Sequence, residues 1–486
     1  MKNLSFRGAL PRVLLVALAS WTSLPGAAAG NATDASRQAA VDAVFADIRP
    51  GEPGVAVGIY QHGKLVLSRG YGSADLDHGV ALTPDTVFNL ASVSKQFTAF
   101  SIALLARDGK IDLQADMRKY LPGMPDLGAK ITVSDLVHHL SGLRDYMALA
   151  MLSGHDDESL LRQRQAIALL QAQRALSHPP GTRYEYSNSG YAVLAEIVAA
   201  ASGKPFGEFM QERIFRPLGM THTRLHDSLN QIEPGYAVGY EQTDDGKWHR
   251  AVYNRVTQGP GNVLSTVGDL VKWIGNFANP AVGDAALVSK LAEPAALRDG
   301  TPVNYGFGLS KQTMIGHRTI QHTGGISGFS TVVVYFPDDD FGVVVLANRP
   351  FDADGTAARL AAIYLEARPE KETAEPRTAR NDSESQKAAG QAVHPAAQLS
   401  QLAGRYRSDE IDTTYTLTVE NGTATLRSLY LVGAQPLTPV SADRFEAKDG
   451  PLSGLEVGVE RDEGGKPTAL LFDYGRLHGL RFRRAN

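Results

Sequence analysis

A chain of 486 residues without a single cysteine can use neither disulfides, thiolate metal sites, a cysteine nucleophile nor a lipidated N-terminal cysteine, which leaves Ser, Thr and Lys for nucleophilic chemistry. Its length exceeds what one hydrophobic core supports, so two or more domains are expected. With 43% hydrophobic and 21% charged residues and a formal net charge of -4, it has an ordinary globular composition and no basic excess that would draw nucleic acid.

Residues 1–29 read as an export signal. Lys2, Arg7 and Arg12 form a positive start, Val13 to Ala19 a short apolar core, and Ala27-Ala28-Ala29 a small-residue cleavage site. The rival reading is an uncleaved anchor, but Pro25 and Gly26 interrupt a run already too short to span a bilayer. The expected mature protein is periplasmic or secreted, without a stable membrane span. Asn31-Ala32-Thr33 is then an incidental sequon near a loose terminus.

From Val55 to Gly70 short apolar runs flank Gln61-His62-Gly63-Lys64, a hairpin pattern. Periodic apolar positions predict helices over 92–108, 157–176, 189–202 and 206–215. Strand texture returns at Tyr305 to Leu309, Thr319 to His322, Thr331 to Phe336 and Val343 to Leu346, the last two joined by the turn Pro337 to Asp340. Strands at both ends with helices between them predict one sheet assembled from distant segments, a mixed α/β (α+β) architecture. This domain is expected over 30–368.

Residues 369–398 are rich in Glu, Lys, Arg, Ala and Ser and nearly devoid of large apolar side chains, as expected of a solvated linker. The upstream domain should therefore stand without the C-terminal region. Residues 399–486 read as short alternating strands, with turns at Asn421-Gly422 and Asp462 to Lys466. A small antiparallel sheet or barrel is predicted there.

Three motifs carry chemistry. Ser92 and Lys95, in Ala91-Ser92-Val93-Ser94-Lys95, stand three apart at the start of a helix with Val93, Phe97, Phe100 and Leu104 on one face. Lys95 can take the Ser92 proton if held neutral, or assist as a cation if another base is present. Tyr186-Ser187-Asn188 follows the turn at Pro180-Gly181. Its phenol could act as a base only with a cation beside it, and Asn188 could orient Lys95 and donate to a substrate carbonyl. His322-Thr323-Gly324-Gly325 ends a predicted strand, where the Gly325 N–H could join that of Ser92 in an oxyanion hole. Taken singly, each has a bland reading: a capping Ser with a surface Lys, a packed Tyr, a turn with an incidental His.

Together, in this order, they resemble the S-x-x-K, Y-x-N and K-T-G set of β-lactamase-related serine hydrolases. That group includes class C β-lactamases, D-Ala-D-Ala carboxypeptidases, D-aminopeptidases and carboxylesterases. The resemblance runs from about Pro53 to Ala367 and takes in Leu136 to Tyr146, Pro180 to Tyr191, Phe215 to Thr223 and Gly261 to Trp273. It implies an antiparallel sheet flanked by helices with an all-helical subdomain. It implies Ser92 as nucleophile, Lys95 as activator and Tyr186 as general base, with Asn188, His322, Gly324 and Gly325 binding substrate and no cofactor or metal. The C-terminal region resembles the lipocalin-like domains appended to some D-aminopeptidases.

His322 stands where the pattern has Lys, which removes a permanent cation and favours esters, amides or peptides over penicillins. The expected function is hydrolysis of a small-molecule or peptide substrate, such as a cell-wall fragment, through an acyl-Ser92 intermediate. A D-aminopeptidase, a carboxypeptidase/β-lactamase, or a weakly catalytic penicillin-binding sensor are the alternatives. His222 and His226 are spaced as metal ligands are but lack a convincing acidic third. His138-His139 read as structural. Gly325-Ile326-Ser327-Gly328 lacks the G-x-S-x-G spacing of an α/β-hydrolase.

Overall fold

The computed structural model describes residues 34–156, 158–369, 399–420, 422–431 and 433–485. The expected signal peptide, the sequon, nearly all of the expected linker and Asn421 lie outside the described residues.

Six antiparallel strands form the main sheet: β1 (Val55–Gln61), β2 (Lys64–Tyr71), β3 (Ser310–Met314), β4 (His317–Ile326), β5 (Phe329–Phe336) and β6 (Phe341–Ala347). The order β3-β4-β5-β6-β1-β2 places the first strand between its hairpin partner β2 and β6, a segment of distant sequence that pairs Ala347 with Val55. Both faces are apolar because both are covered. Val332, Val334, Val343 and Val345 pack under α1 (Asp34–Val44) and a C-terminal helix, Ala353–Tyr364. Their alternates Val333, Tyr335, Val344 and Leu346 join the central core. The strand period of two thus splits one sequence run between two cores.

The other face meets the helical region, centred on α2 (Lys95–Arg107), which is buried from Lys95 to Leu105 on every side. A helix buried all round must satisfy its polar side chains internally. Thr98 Oγ1 donates to the Gly259 carbonyl at 2.8 Å, and Gln96 Oε1 accepts from the Trp273 indole at 2.8 Å. Beside it runs α3 (Asn188–Ser202), capped by the Ser187 hydroxyl and ended by Gly203 at φ 74°.

Three sequence expectations are corrected. Tyr305 to Leu309 is not a strand: it crosses the start of α2 as a loop, with Gly308 at positive φ lying against the Lys95 carbonyl. The strand containing His322 continues past it through Gly324 and Gly325 to Ile326. The helix expected over 157–176 shrinks to Gln163–Gln171, because Leu161–Arg162 pairs with Arg255–Val256 and the Gln165 side chain caps the Arg162 N–H.

Downstream, eight strands close into a barrel: β7 (Gly404–Ser408), β8 (Thr413–Glu420), β9 (Thr423–Ser428), β10 (Gln435–Ser441), β11 (Arg444–Glu446), β12 (Leu455–Arg461), β13 (Pro467–Tyr474) and β14 (Leu477–Arg484). Closure comes from β7 pairing with β14. Eight strands leave an interior wide enough for side chains or one small ligand, and here Tyr415, Phe472 and Phe482 pack together with ring centroids 4.3–5.3 Å apart. The barrel is not a detached module. The buried Arg144 donates to Glu410 at 2.7 Å and to the carbonyls of His478 and Gly479 at 3.1 and 2.6 Å, and the Tyr415 hydroxyl donates to the Leu152 carbonyl at 2.9 Å. The upstream domain, expected to stand without the C-terminal region, shares a seam with it in which groups on each side have partners on the other.

Candidate active site

Ser92 and Lys95 owe their placement to a strained turn. Ala91, a residue with a side chain, takes φ 49°, and the Asn89 carboxamide holds it there by accepting the Ala91 N–H at 2.9 Å. Such a conformation costs about 1–3 kcal/mol and persists only where neighbours impose it. A 3₁₀ turn over Ala91–Ser94 then feeds α2, leaving Ser92 partly exposed and Lys95 fully buried.

Lys95 Nζ lies 3.1 Å from Ser92 Oγ, 2.9 Å from Asn188 Oδ1 and 3.0 Å from the Pro260 carbonyl. Burial, reinforced by the Arg476 charge and opposed by Asp145, holds its pKa well below the usual lysine range. A neutral amine has two N–H bonds and one lone pair. In that state the two carbonyl oxygens can take the N–H groups and leave the lone pair for the Ser92 hydroxyl. Of the two states open to Lys95 from sequence, burial favours the neutral one.

Tyr186 approaches the same hydroxyl from the loop before α3, and its interaction with Ser92 works against the burial that raises its pKa. Its loop is fastened by His139: the carbonyl accepts from Glu185 N–H at 3.0 Å, and Nδ1 accepts from Ser187 N–H at 2.9 Å. His139 sits at φ 61° with its ring 4.3 Å from that of Tyr186. Burial raises the Tyr186 pKa, so the resting group is a phenol, not the phenolate a general base requires. Asn188, the first residue of α3, accepts from Lys95 and turns its amide nitrogen toward Met147 Sδ at 3.2 Å.

The third motif brings its backbone, not a charge. His322 is buried and its pKa is lowered to about 3, first by burial and then by Lys95. As a neutral ring it donates from Nδ1 to the Thr323 carbonyl at 2.6 Å and accepts at Nε2 from the Tyr305 hydroxyl at 2.9 Å. Both nitrogens are thereby engaged inside the protein. At Gly324 a Cβ would fall 2.3 Å from the Leu90 carbonyl, so its absence lets β4 press against the turn that carries Ser92. Gly325 is exposed and faces open space.

Sequence reading missed Arg476, Asp145 and the fastening role of His139. Asp145 Oδ1 caps the helix Tyr146–Leu152, while the buried Oδ2 has Arg476 Nε 3.6 Å away. Only the tandem His138-His139 carried any signal; Arg476 lies 290 residues beyond Tyr186 without a motif around it. His226 bonds Glu233 at 3.0 Å and His222 bonds Thr221 at 3.3 Å, so the two do not share a partner.

The β-lactamase family profile matches residues 38–367. A D-aminopeptidase of Gluconobacter oxydans is 30% identical over 341 residues, covering 70% of this chain and 64% of the relative. A D-aminopeptidase of Brucella anthropi is 30% identical over 315 residues, covering 64% and 59%. The chain thus spans less than two thirds of the length of these relatives. Among solved structures, the octameric penicillin-binding protein homologue from Pyrococcus abyssi aligns with TM-score 0.61 at 20% identity over 93% of this chain and all of that one. The D-amino acid amidase from Ochrobactrum anthropi SV3 aligns with TM-score 0.56 at 23% identity over 67% and 98%. At these identities the likeness is one of fold. With the family profile spanning most of the chain, the protein belongs to the β-lactamase family, among the β-lactamase-related serine hydrolases.

Proposed function

We propose that the protein is an exported serine hydrolase that cleaves small amides and short peptides through an acyl-Ser92 intermediate, with D-aminoacyl substrates preferred. The observation carrying this reading is Lys95, buried and shared between Ser92 Oγ, Asn188 Oδ1 and the Pro260 carbonyl. As Oγ attacks the substrate carbonyl, its proton passes to the neutral Lys95 amine. The main-chain N–H groups of Ser92 and Gly325 are assigned to the developing oxyanion. The Lys95 ammonium returns a proton through the Tyr186 hydroxyl to the leaving nitrogen, and the amine departs. Water then attacks the acyl carbonyl, giving a proton to Lys95, and Ser92 recovers it as the acid leaves.

Two things support the D-aminoacyl preference. The relatives of 30% identity are D-aminopeptidases. The neutral, inward-bonded His322 offers no ammonium to a penicillin carboxylate. The N-terminal composition supports export, and peptides carrying D-residues, as in cell-wall fragments, are the matching substrate class.

The test is steady-state hydrolysis of D- and L-alanine p-nitroanilide, p-nitrophenyl butyrate and nitrocefin by wild type and Ser92→Ala. The D-anilide should be turned over faster than the L-anilide and nitrocefin, and Ser92→Ala should abolish every activity. A stoichiometric burst without turnover would identify a sensor instead. Fluorophosphonate label recovered on Ser94 or Ser327 would overturn the nucleophile.

A further inference from the structure

The last hairpin of the barrel ends inside the catalytic region. β13 and β14 close at Tyr474 opposite Leu477 through a two-residue turn, Gly475-Arg476, whose tightness is met by Gly475 at φ 59°. This tip rests on the loop that carries Tyr186. Arg476 Nη1 donates to the Tyr186 carbonyl at 3.1 Å, and the guanidinium carbon stands 5.2 Å from the Tyr186 ring centroid. On either side the docking is reinforced: His478 Nε2 lies 3.2 Å from Glu185 Oε1, and Arg144 holds the His478 and Gly479 carbonyls. The same Tyr186 ring has Lys95 Nζ at 4.6 Å.

We propose that Arg476 is a positioning residue of the active site, delivered from the barrel: it fixes the Tyr186 phenol against Ser92 and sets a permanent positive charge at the same ring that the Lys95 amine faces. The catalytic constellation is then complete only when the barrel is docked. This rests on the proposed roles of Ser92 and Lys95. The groups facing Lys95 are Tyr186 and Tyr191 from α3 and its preceding loop, His139 and Asp145 from the segment before it, His322 from β4, and Arg476 from the barrel. The tyrosines and histidines are neutral, so Asp145 and Arg476 are the opposed charges. The partial pairing of Asp145 with Arg476, at 3.6 Å, tempers that cation without cancelling it. Arg476 lowers the pKa of Lys95, which agrees with this arrangement.

The experiment compares full-length wild type, Arg476→Gln, Arg476→Lys and Glu410→Gln for hydrolysis of the turned-over p-nitroanilide between pH 5 and 9, with thermal melts of each. Arg476→Gln should lower kcat by about ten-fold or more, as expected when a reacting group is mispositioned, with KM little changed. Removing the cation lets Lys95 hold its proton more tightly, so the acid limb of kcat/KM should move up by about one pH unit. Arg476→Lys keeps a charge without the planar fork, so it should retain the limb and lose part of kcat. Glu410→Gln loosens the seam elsewhere and should lower the melting temperature while leaving the limb in place. An Arg476→Gln enzyme with kcat within two-fold of wild type and an unmoved limb would overturn the proposal and leave Arg476 a seam residue. The Ser92 reading fails separately, if Ser92→Ala still hydrolyses the substrate.

Discussion

Arg144 Nη1 and Glu410 Oε2 meet at 2.7 Å across the junction of the two domains, with the Arg144 side chain only 2% exposed. Burial works against the Arg144 charge and Glu410 restores it. Breaking a buried pair by removing one partner costs about 3–5 kcal/mol, because the survivor keeps its desolvation penalty. Arg144→Ala should therefore destabilise the full chain by that order in equilibrium denaturation. Replacing both partners with Met should cost less than either single change, because no buried charge is then left unpaired.

Lys95→Met should lower the rate of Ser92 acylation by about 10²–10⁴, the range for a lost acid–base group. Lys95→Arg should do no better, since a guanidinium keeps its proton at any working pH. Stopped-flow labelling with a fluorophosphonate measures this step directly. A variant labelled as fast as wild type would show that Lys95 is not the base.

Tyr186→Phe separates the two roles open to the phenol. In the proposed mechanism Lys95 accepts the Ser92 proton, while Tyr186 rests protonated. Its loss should therefore hurt leaving groups that need a proton. Amide hydrolysis should fall by about 10²–10⁴, while p-nitrophenyl ester acylation, whose leaving group departs as an anion, should fall much less. Equal losses on both would make Tyr186 the base for Ser92.

His322 gives the protein a defined acid sensitivity. Its folded pKa is depressed to about 3, below the unfolded value of about 6.5. The stability linked to its neutral form is thus complete above pH 6.5 and is lost as pH falls toward 3. The slope is about 1.4 kcal/mol per pH unit for one group in that window. His322→Asn should flatten the dependence of stability on pH between 6.5 and 3, measured by denaturation at fixed ionic strength. An unchanged slope would place the acid sensitivity elsewhere, with buried His139 the next candidate because its pKa is also lowered.

Much of this protein was legible without coordinates. The S-x-x-K spacing at a helix start brings Ser92 and Lys95 together, since residues three apart share a helical face. Apolar runs around turn residues located β1, β2, β5, β6 and the barrel hairpins β8–β9 and β12–β13. These are local determinants: period, turn chemistry and helix ends act within a few residues. Where glycines interrupted the pattern it misled, reading Tyr305 to Leu309 as a strand and stopping β4 at His322.

What tertiary structure decided depends on burial and on meetings across hundreds of residues. Whether Lys95 is charged depends on the desolvation of its amine and the placement of the Pro260 and Asn188 oxygens. That His322 turns inward is owed to Tyr305, which a loop, not a strand, brings to it. Arg476 had no motif to announce it, and its meaning comes entirely from the barrel hairpin laying it on Tyr186. Short-range patterning names the residues that can do chemistry. Which of them are charged, and which distant side chain stands beside them, is set by the dielectric and the packing that only the assembled fold creates.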